Sequence, residues 1–321
     1  MMQVSQIVIY PIKSCAPIYL SSCRLAETGL EGDRIYVIAA NRNGWEMISQ
    51  RTHGQMCFIE PSYDSNNNLV INDEFTVNPP ENTKSVEIKI WDDLVAGFDQ
   101  GDEVSVWITE FLNSPQPLRL FKKDTKLPRM LPTKHTPSMS MFTYIPTTGF
   151  SDSAPILLLS EESVHDIQTR QTRDITFLNF RPNILFKGAL FPFEEDSFMR
   201  ISIGNTAFIV SNLCTRCTLI TNDPQTGVKG PEPLRTLQRY RRIDPGCRGR
   251  PCVGVFIISQ ALETVSVGDR VTVIERGVHD QRGIWNGRKF GYIGGNVLLP
   301  GLLTGFMVAI AVIVMIIKRK S

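Results

Sequence analysis

Residues 201–217, Ile-Ser-Ile-Gly-Asn-Thr-Ala-Phe-Ile-Val-Ser-Asn-Leu-Cys-Thr-Arg-Cys, decide how this chain is read. The apolar, β-branched run at 201–211 predicts a strand, and Thr221-Asn222-Asp223-Pro224-Gln225-Thr226-Gly227 predicts a turn just beyond it. Cys214-Thr215-Arg216-Cys217 therefore lies where a strand opens into a loop. A thiolate there is a soft ligand, suited to zinc, copper(I), iron–sulfur or a high-valent soft-ligated metal. Arg216 beside it favours the thiolate and can hold a phosphate bidentately. Cys217 is the leading candidate. Against it stand two ordinary buried cysteines, or a structural zinc site. Cys214 and Cys217 with Cys247 and Cys252 supply four thiolates for zinc, although the second pair is wider than zinc sites usually take. No helix start or βαβ pattern supports a thioredoxin-like use of Cys214 and Cys217.

Working outward, the chain reads as mixed α/β and β-rich. Residues 4–10 and 86–91 alternate, and 34–39 form a short buried-type run. Residues 104–112 fit either a strand or a helix. Between about 121 and 153 the pattern gives way to an irregular connection, a length uncommon unless it links domains or serves a site. A strand at 154–159 follows, with Ser160 as the cap of a helix and Ser163 where a capping-box glutamate would stand. Further strands are expected at 183–186, 199–202, 206–210, 253–258 and 266–274. The expected domains are a barrel-like unit at 1–125 and a second β domain at 126–276. A glycine-rich linker at 277–296 follows.

Residues 297–317 (VLLPGLLTGFMVAIAVIVMII) contain no charge. Twenty helical residues rise ~30 Å, the hydrocarbon thickness of a bilayer, so this run is read as a transmembrane anchor. Lys318-Arg319-Lys320 follows it, ahead of Ser321. The first residues lack a basic region followed by an apolar core, which leaves the soluble bulk expected on the cytosolic side. The basic tip would itself prefer that side. The absent signal is given more weight, and a mitochondrial outer membrane is preferred to the endoplasmic reticulum.

Composition narrows the function classes. A net charge of +2 gives no argument for nucleic acid. Seven cysteines in a chain read as cytosolic are expected to be reduced. There is no P-loop or dinucleotide fingerprint, the four histidines lack zinc-helix spacing, and Ser151 and Ser153 form no nucleophile elbow. Lys13, Ser14, Arg34, Arg181 and Arg216 recur in loops that would suit a phosphate or a polar pterin, if the fold brings them together.

Taken in order, several segments resemble the MOSC-domain proteins, and among them the mitochondrial amidoxime-reducing component group. They are Tyr10-Pro11-Ile12-Lys13-Ser14-Cys15, Gly29-Leu30-Glu31-Gly32-Asp33-Arg34, Phe180-Arg181-Pro182-Asn183, Cys214-Thr215-Arg216-Cys217-Thr218 through Gly227, and Leu237-Gln238-Arg239-Tyr240-Arg241. The resemblance implies a MOSC N-terminal β-barrel domain, a MOSC β-barrel domain and a molybdenum–molybdopterin cofactor. By this match Cys217, not Cys214, is the molybdenum ligand. Lys13, Ser14, Arg34, Asp152, Ser153, Arg181, Asn183, Thr215 and Arg216 would hold the pterin and its phosphate. Asp223 lies near enough in sequence to support the ligand from behind or to handle protons, and is read as a catalytic neighbour on that ground. The implied reaction removes oxygen from small N-hydroxylated compounds, with electrons from cytochrome b5 and its NADH-dependent reductase. Alternatives are a cofactor carrier without reductase activity and a membrane-tethered zinc adaptor. A family-level association with pyridoxal phosphate belongs to sulfurases, whose aminotransferase-like domain has no counterpart here. The anchor is at the C-terminal end, whereas the family members compared carry theirs at the N-terminus.

Overall fold

Alternation at the start of the chain becomes the strand Gln3–Ile9, whose place in the fold organises everything after it. The computed structural model describes residues 1–81, 83–131, 141–247 and 249–280, together with the backbone of 284–285 and 288–289. Gln3–Ile9 does not join the N-terminal barrel. It lies in an eight-stranded sheet, antiparallel to Ile184–Lys187, with Ile18–Leu20 outside it. Inward from Ile184–Lys187 come Ile156–Ser160, Cys252–Ser259, Thr206–Thr215, Phe198–Ile203 and Val271–Arg276. Only the pair formed by Ile156–Ser160 and Ile184–Lys187 is parallel, and the helix Glu161–Thr169 lies in its crossover. The sheet is not a fully closed barrel. It curls until Gln3 bridges Arg270 and the Val271 amide donates to the Met2 carbonyl, 3.0 Å. Phe186, Phe198, Phe208, Ile156, Ile257 and their neighbours fill its interior.

The barrel proper is closed by Ser85–Ile90, Asp93–Asp99, Leu118–Lys123, Tyr36–Asn41 and Trp45–Met47. Closure abolishes exposed sheet edges. The ambiguous run at 104–112 is the helix Asp102–Phe111. Asp102 and Glu103 sit in the first turn, where the helix dipole favours them, and Val104, Ile108 and Leu112 recur every four residues into a core cluster with Tyr36, Ile38, Leu118 and Leu120.

Several expectations need correction. The irregular connection begins later than 121, because Leu118–Lys123 is a barrel strand. Leu118, Leu120 and Phe121 are buried there despite the lysines around them. The run 266–274 is two strands, Thr264–Ser266 and Val271–Arg276, since Gly268 at φ 91° makes a turn between them. The strand expected at 206–210 continues to Thr215. Within the segment read as a linker, His279–Asp280, Ile284–Trp285 and Arg288–Lys289 pair as short antiparallel strands. Among the described residues no helix is long and apolar enough to cross a membrane, and the run 297–317 lies outside them.

The helix cap holds as read: the Ser163 amide donates to Ser160 Oγ at 3.1 Å. Both hydroxyls also bind the carboxylate of Glu195, which is fully buried. Burial, reinforced by Asp196, pushes the Glu195 carboxyl up to about 7.

Candidate functional site

Loops from both sheets converge on one open cleft of about 790 Å³, mouth included. Lys13 and Ser14 reach it from the turn after the first strand, Arg34 from the loop before Tyr36–Asn41, and Asp152 and Ser153 from the end of the long connection. Arg181 and Asn183 enter just before Ile184–Lys187. Thr215, Arg216 and Cys217 leave the end of Thr206–Thr215. Thus the residues named from sequence as cofactor contacts all line a single cleft, although 204 positions separate the first from the last (217 − 13).

The two cysteines of the motif part company here. Cys214 is buried, and desolvation pushes its thiol up to about 11 despite the nearby Arg216. Cys217 is partly open to the cleft, at the head of the short turn Thr218–Thr221. Among the described residues no three His, Cys, Asp or Glu side chains are grouped to hold a metal. The four thiols required by the zinc alternative are therefore not assembled, whereas a single protein thiolate is all that the molybdenum reading asks for.

Electrostatics favour an anion. The lining carries five cations, Lys13, Arg34, Arg51, Arg181 and Arg216, against the single carboxylate of Asp152. Burial pulls the Lys13 amine down to about 8, although Asp152 pairs with it. Burial also works against charge on Asp152, but Lys13 and Arg51 outweigh it and hold the carboxyl below its ordinary range. The Arg181 guanidinium is lowered by desolvation. Tyr10 opposes that shift and Arg34 adds to it. Arg181 and Arg34 both lie over the Tyr10 ring, with guanidinium carbons 4.0 and 4.9 Å from its centre. Arg181 Nη2 and Arg51 Nη1 are buried without a hydrogen-bond partner. Donors left over among crowded cations fit a bound phosphate or pterin oxygen.

Strain collects at the same place. Ser14, Arg34 and Arg181 all have positive φ, at 68°, 48° and 54°. Such non-glycine conformations cost roughly 1–3 kcal/mol each and persist where surrounding structure imposes them. Here it does. The Arg34 amide donates to Tyr10 O at 2.9 Å, and Gln50 Nε2 donates to Ser14 O at 2.7 Å.

Not every expected role survives contact with the geometry. Arg216 donates Nε and Nη2 to Val253 O and Nη1 to Phe180 O, so its fork is turned toward the backbone rather than presented for a bidentate grip. Asn183 is likewise engaged, accepting from Arg34 Nη1 at 2.9 Å and from the Leu157 amide at 3.1 Å. Asp223 does not line the cleft. Its carboxylate accepts the Gln225 and Thr226 amides at 2.8 and 3.1 Å and faces Arg173 at 3.3 Å. It shapes the 223–227 turn. That turn packs on the loop carrying Arg51: a Cβ on Gly54 would collide with Gly227 O, and Cys57 Sγ donates to Asp223 O at 3.9 Å.

Sequence reasoning passed over Arg51. Its Nη2 donates to Cys217 Sγ at 2.9 Å across 166 residues, and no local motif announces such a partnership. The flanking Gln50 and Gly54, both needed for the loop's packing, are visible only in hindsight.

Two family models match successive parts of the chain. Residues 1–115 match the MOSC N-terminal beta barrel domain and residues 146–272 match the MOSC domain. Human "Mitochondrial amidoxime-reducing component 1" is 31% identical over 286 residues, which cover 84% of this chain and 82% of that protein. Rat "Mitochondrial amidoxime reducing component 2" is 30% identical over 283 residues, with coverage of 84% and 82%. None of these descriptions mentions pyridoxal phosphate, and that association gains no support. Among solved structures, YiiM from Geobacillus stearothermophilus has 18% sequence identity over 44% of this chain and 60% of that one. Its TM-score of 0.30 is too low to carry detail across.

Proposed function

This chain belongs to the MOSC-domain family that includes the mitochondrial amidoxime-reducing components, and from that premise we propose that it is a molybdenum-cofactor-dependent reductase of N-hydroxylated compounds. The observation that carries the reading is one partly open thiol, Cys217, in a cleft lined by five cations and one carboxylate.

Cys217 would be the protein's ligand to molybdenum. Arg181, with its free Nη2 and its place over Tyr10, would take an anionic oxygen of the pterin or its phosphate. Lys13 would stay paired with Asp152 and donate to Phe150 O at 2.8 Å, which fixes the long connection at the cleft wall. Ser14, Ser153 and Thr215 would add hydroxyl or backbone contacts. Arg34, Asn183 and Arg216 would hold the loops in register from behind. When bound, the cofactor supplies two-electron chemistry that converts N–OH to N–H and water with two protons. The protein's part is to bind, orient and neutralise charge.

Electrons would come from cytochrome b5 and its NADH-dependent reductase. Residues 297–317 would tether the chain to the mitochondrial outer membrane and raise the local concentration of partners on that surface. The test is turnover of benzamidoxime by cofactor-loaded protein with reduced cytochrome b5. Amidine formation in step with molybdenum content supports the reading. A molybdenum-loaded, folded protein that never turns over any N-hydroxylated compound would instead be a carrier.

A further inference from the structure

Arg51 comes from the loop after the barrel strand Trp45–Met47, yet its guanidinium ends on the thiol of the other domain. Three contacts define its pose. Nη2 donates to Cys217 Sγ at 2.9 Å and lies 3.7 Å from Asp152 Oδ2. The guanidinium carbon sits 4.4 Å over the ring centre of Trp91. Trp91 is held in turn, because its Nε1 donates to Asp152 Oδ1 at 2.9 Å. Trp91 is 42% exposed and has φ 59°, an unusual state for a large aromatic residue. A bulky residue kept both exposed and in left-handed backbone needs a reason beyond burial. Stacking on Arg51 at the cleft rim supplies one.

Behind the guanidinium, the loop is fixed from the opposite side. Lys229 Nζ donates to Arg51 O, Asn222 Nδ2 donates to Gly54 O at 3.3 Å, and Gly54 lies against Gly227. The 223–227 turn and the Trp91 hairpin thus clamp one arginine against one sulfur.

We propose that Arg51 is a positioning residue for Cys217: it fixes the direction of the ligand sulfur and balances its charge, with Trp91 as the platform that aims it. The proposal rests on the molybdenum reading above. Arginine suits this task better than lysine, since only a planar fork can stack on an indole and bind a sulfur edge-on at once. Groups that orient a metal ligand typically change metal retention by 10–100-fold when removed.

The experiment compares wild type, R51Q, R51K, W91A and W91F, each expressed with cofactor supply and checked for native near-ultraviolet dichroism. Molybdenum per chain after dialysis is measured, together with the electron paramagnetic resonance of the molybdenum(V) state. R51Q is expected to retain roughly ten-fold less molybdenum, with R51K between it and wild type. W91A is expected to shift the resonance, and W91F to restore it. Should R51Q not fold, the W91A and W91F pair decides. Wild-type molybdenum content and an unchanged resonance in folded R51Q, or in W91A if R51Q is lost, would overturn the proposal and leave the molybdenum reading intact. A wild-type protein that takes up no molybdenum would remove that reading, and the proposal with it.

Discussion

Two polar clusters in this protein are built in opposite ways. At Glu195 a carboxylate is closed in by Ser160 Oγ and Ser163 Oγ at 3.0 and 2.8 Å, and Arg241 pairs with neighbouring Asp196 at 2.6 Å. Both Glu195 oxygens are bonded there, Asp196 Oδ1 is left without a partner, and Asp196 is only partly exposed. In the cleft, cations outnumber carboxylates, two guanidinium nitrogens lack partners, and several residues have strained backbone. A cluster whose one leftover is an acceptor beside its own arginine reads as structure. One that leaves donors over, around an accessible thiol, reads as a site waiting for an anionic group.

The sharpest way to break that comparison is to remove a cation from the cleft. Arg181→Gln is expected to lower retained molybdenum by roughly 10–100-fold, since it takes away both an unpaired donor and the Tyr10 contact. Metal analysis after dialysis reads it out. If retention were unchanged, the surplus charge would not serve a ligand.

Gly54→Ala should act at a distance. Its new methyl meets Gly227 O and must push the Arg51 loop away. An overpacking cost of about 1–3 kcal/mol is expected in urea unfolding, with a smaller loss of molybdenum than Arg181→Gln gives. Full retention would mean that the loop adjusts without moving Arg51.

The closed cluster should respond to pH instead. Glu195 binds its proton more tightly in the folded state, at about 7 against an ordinary 4.5. Its contribution is complete below about 4.5 and is lost as pH rises toward 7, on the order of 3 kcal/mol in all. Glu195→Gln should flatten that slope in urea unfolding between pH 4.5 and 7 and leave molybdenum content unchanged. A slope that persists in the variant would place the titration elsewhere.

Asp223→Asn should have the smallest effect. An asparagine keeps the turn's acceptor oxygen while losing the charge facing Arg173, so stability should change by about 0.5–1 kcal/mol and turnover by less than about three-fold. A collapse of kcat at unchanged molybdenum content would restore the catalytic role first read for Asp223.

What the sequence made legible was local. Alternation exposed Gln3–Ile9 and Ser85–Ile90, and the Ser160 cap with Ser163 was visible as a short motif. Leu118–Lys123 escaped because its exposed face carries lysine and its neighbours are proline-rich, so tertiary closure rather than propensity makes it a strand. The residues singled out by motif, from Lys13 to Cys217, line one cleft. Arg51 was not, since its importance comes from a contact 166 residues away. Asp223 shows the converse: nearness in sequence to Cys217 suggested chemistry, but it lies outside the cleft lining and its side chain turns back on the turn's own amides.

The central claim is that Cys217, and not Cys214, is the residue through which this protein holds metal. Its most direct test is molybdenum per chain in Cys217→Ser and Cys214→Ala, both expressed with cofactor supply and both confirmed folded. The account predicts near-complete loss in Cys217→Ser and retention in Cys214→Ala. Molybdenum kept by Cys217→Ser at the wild-type level would contradict it.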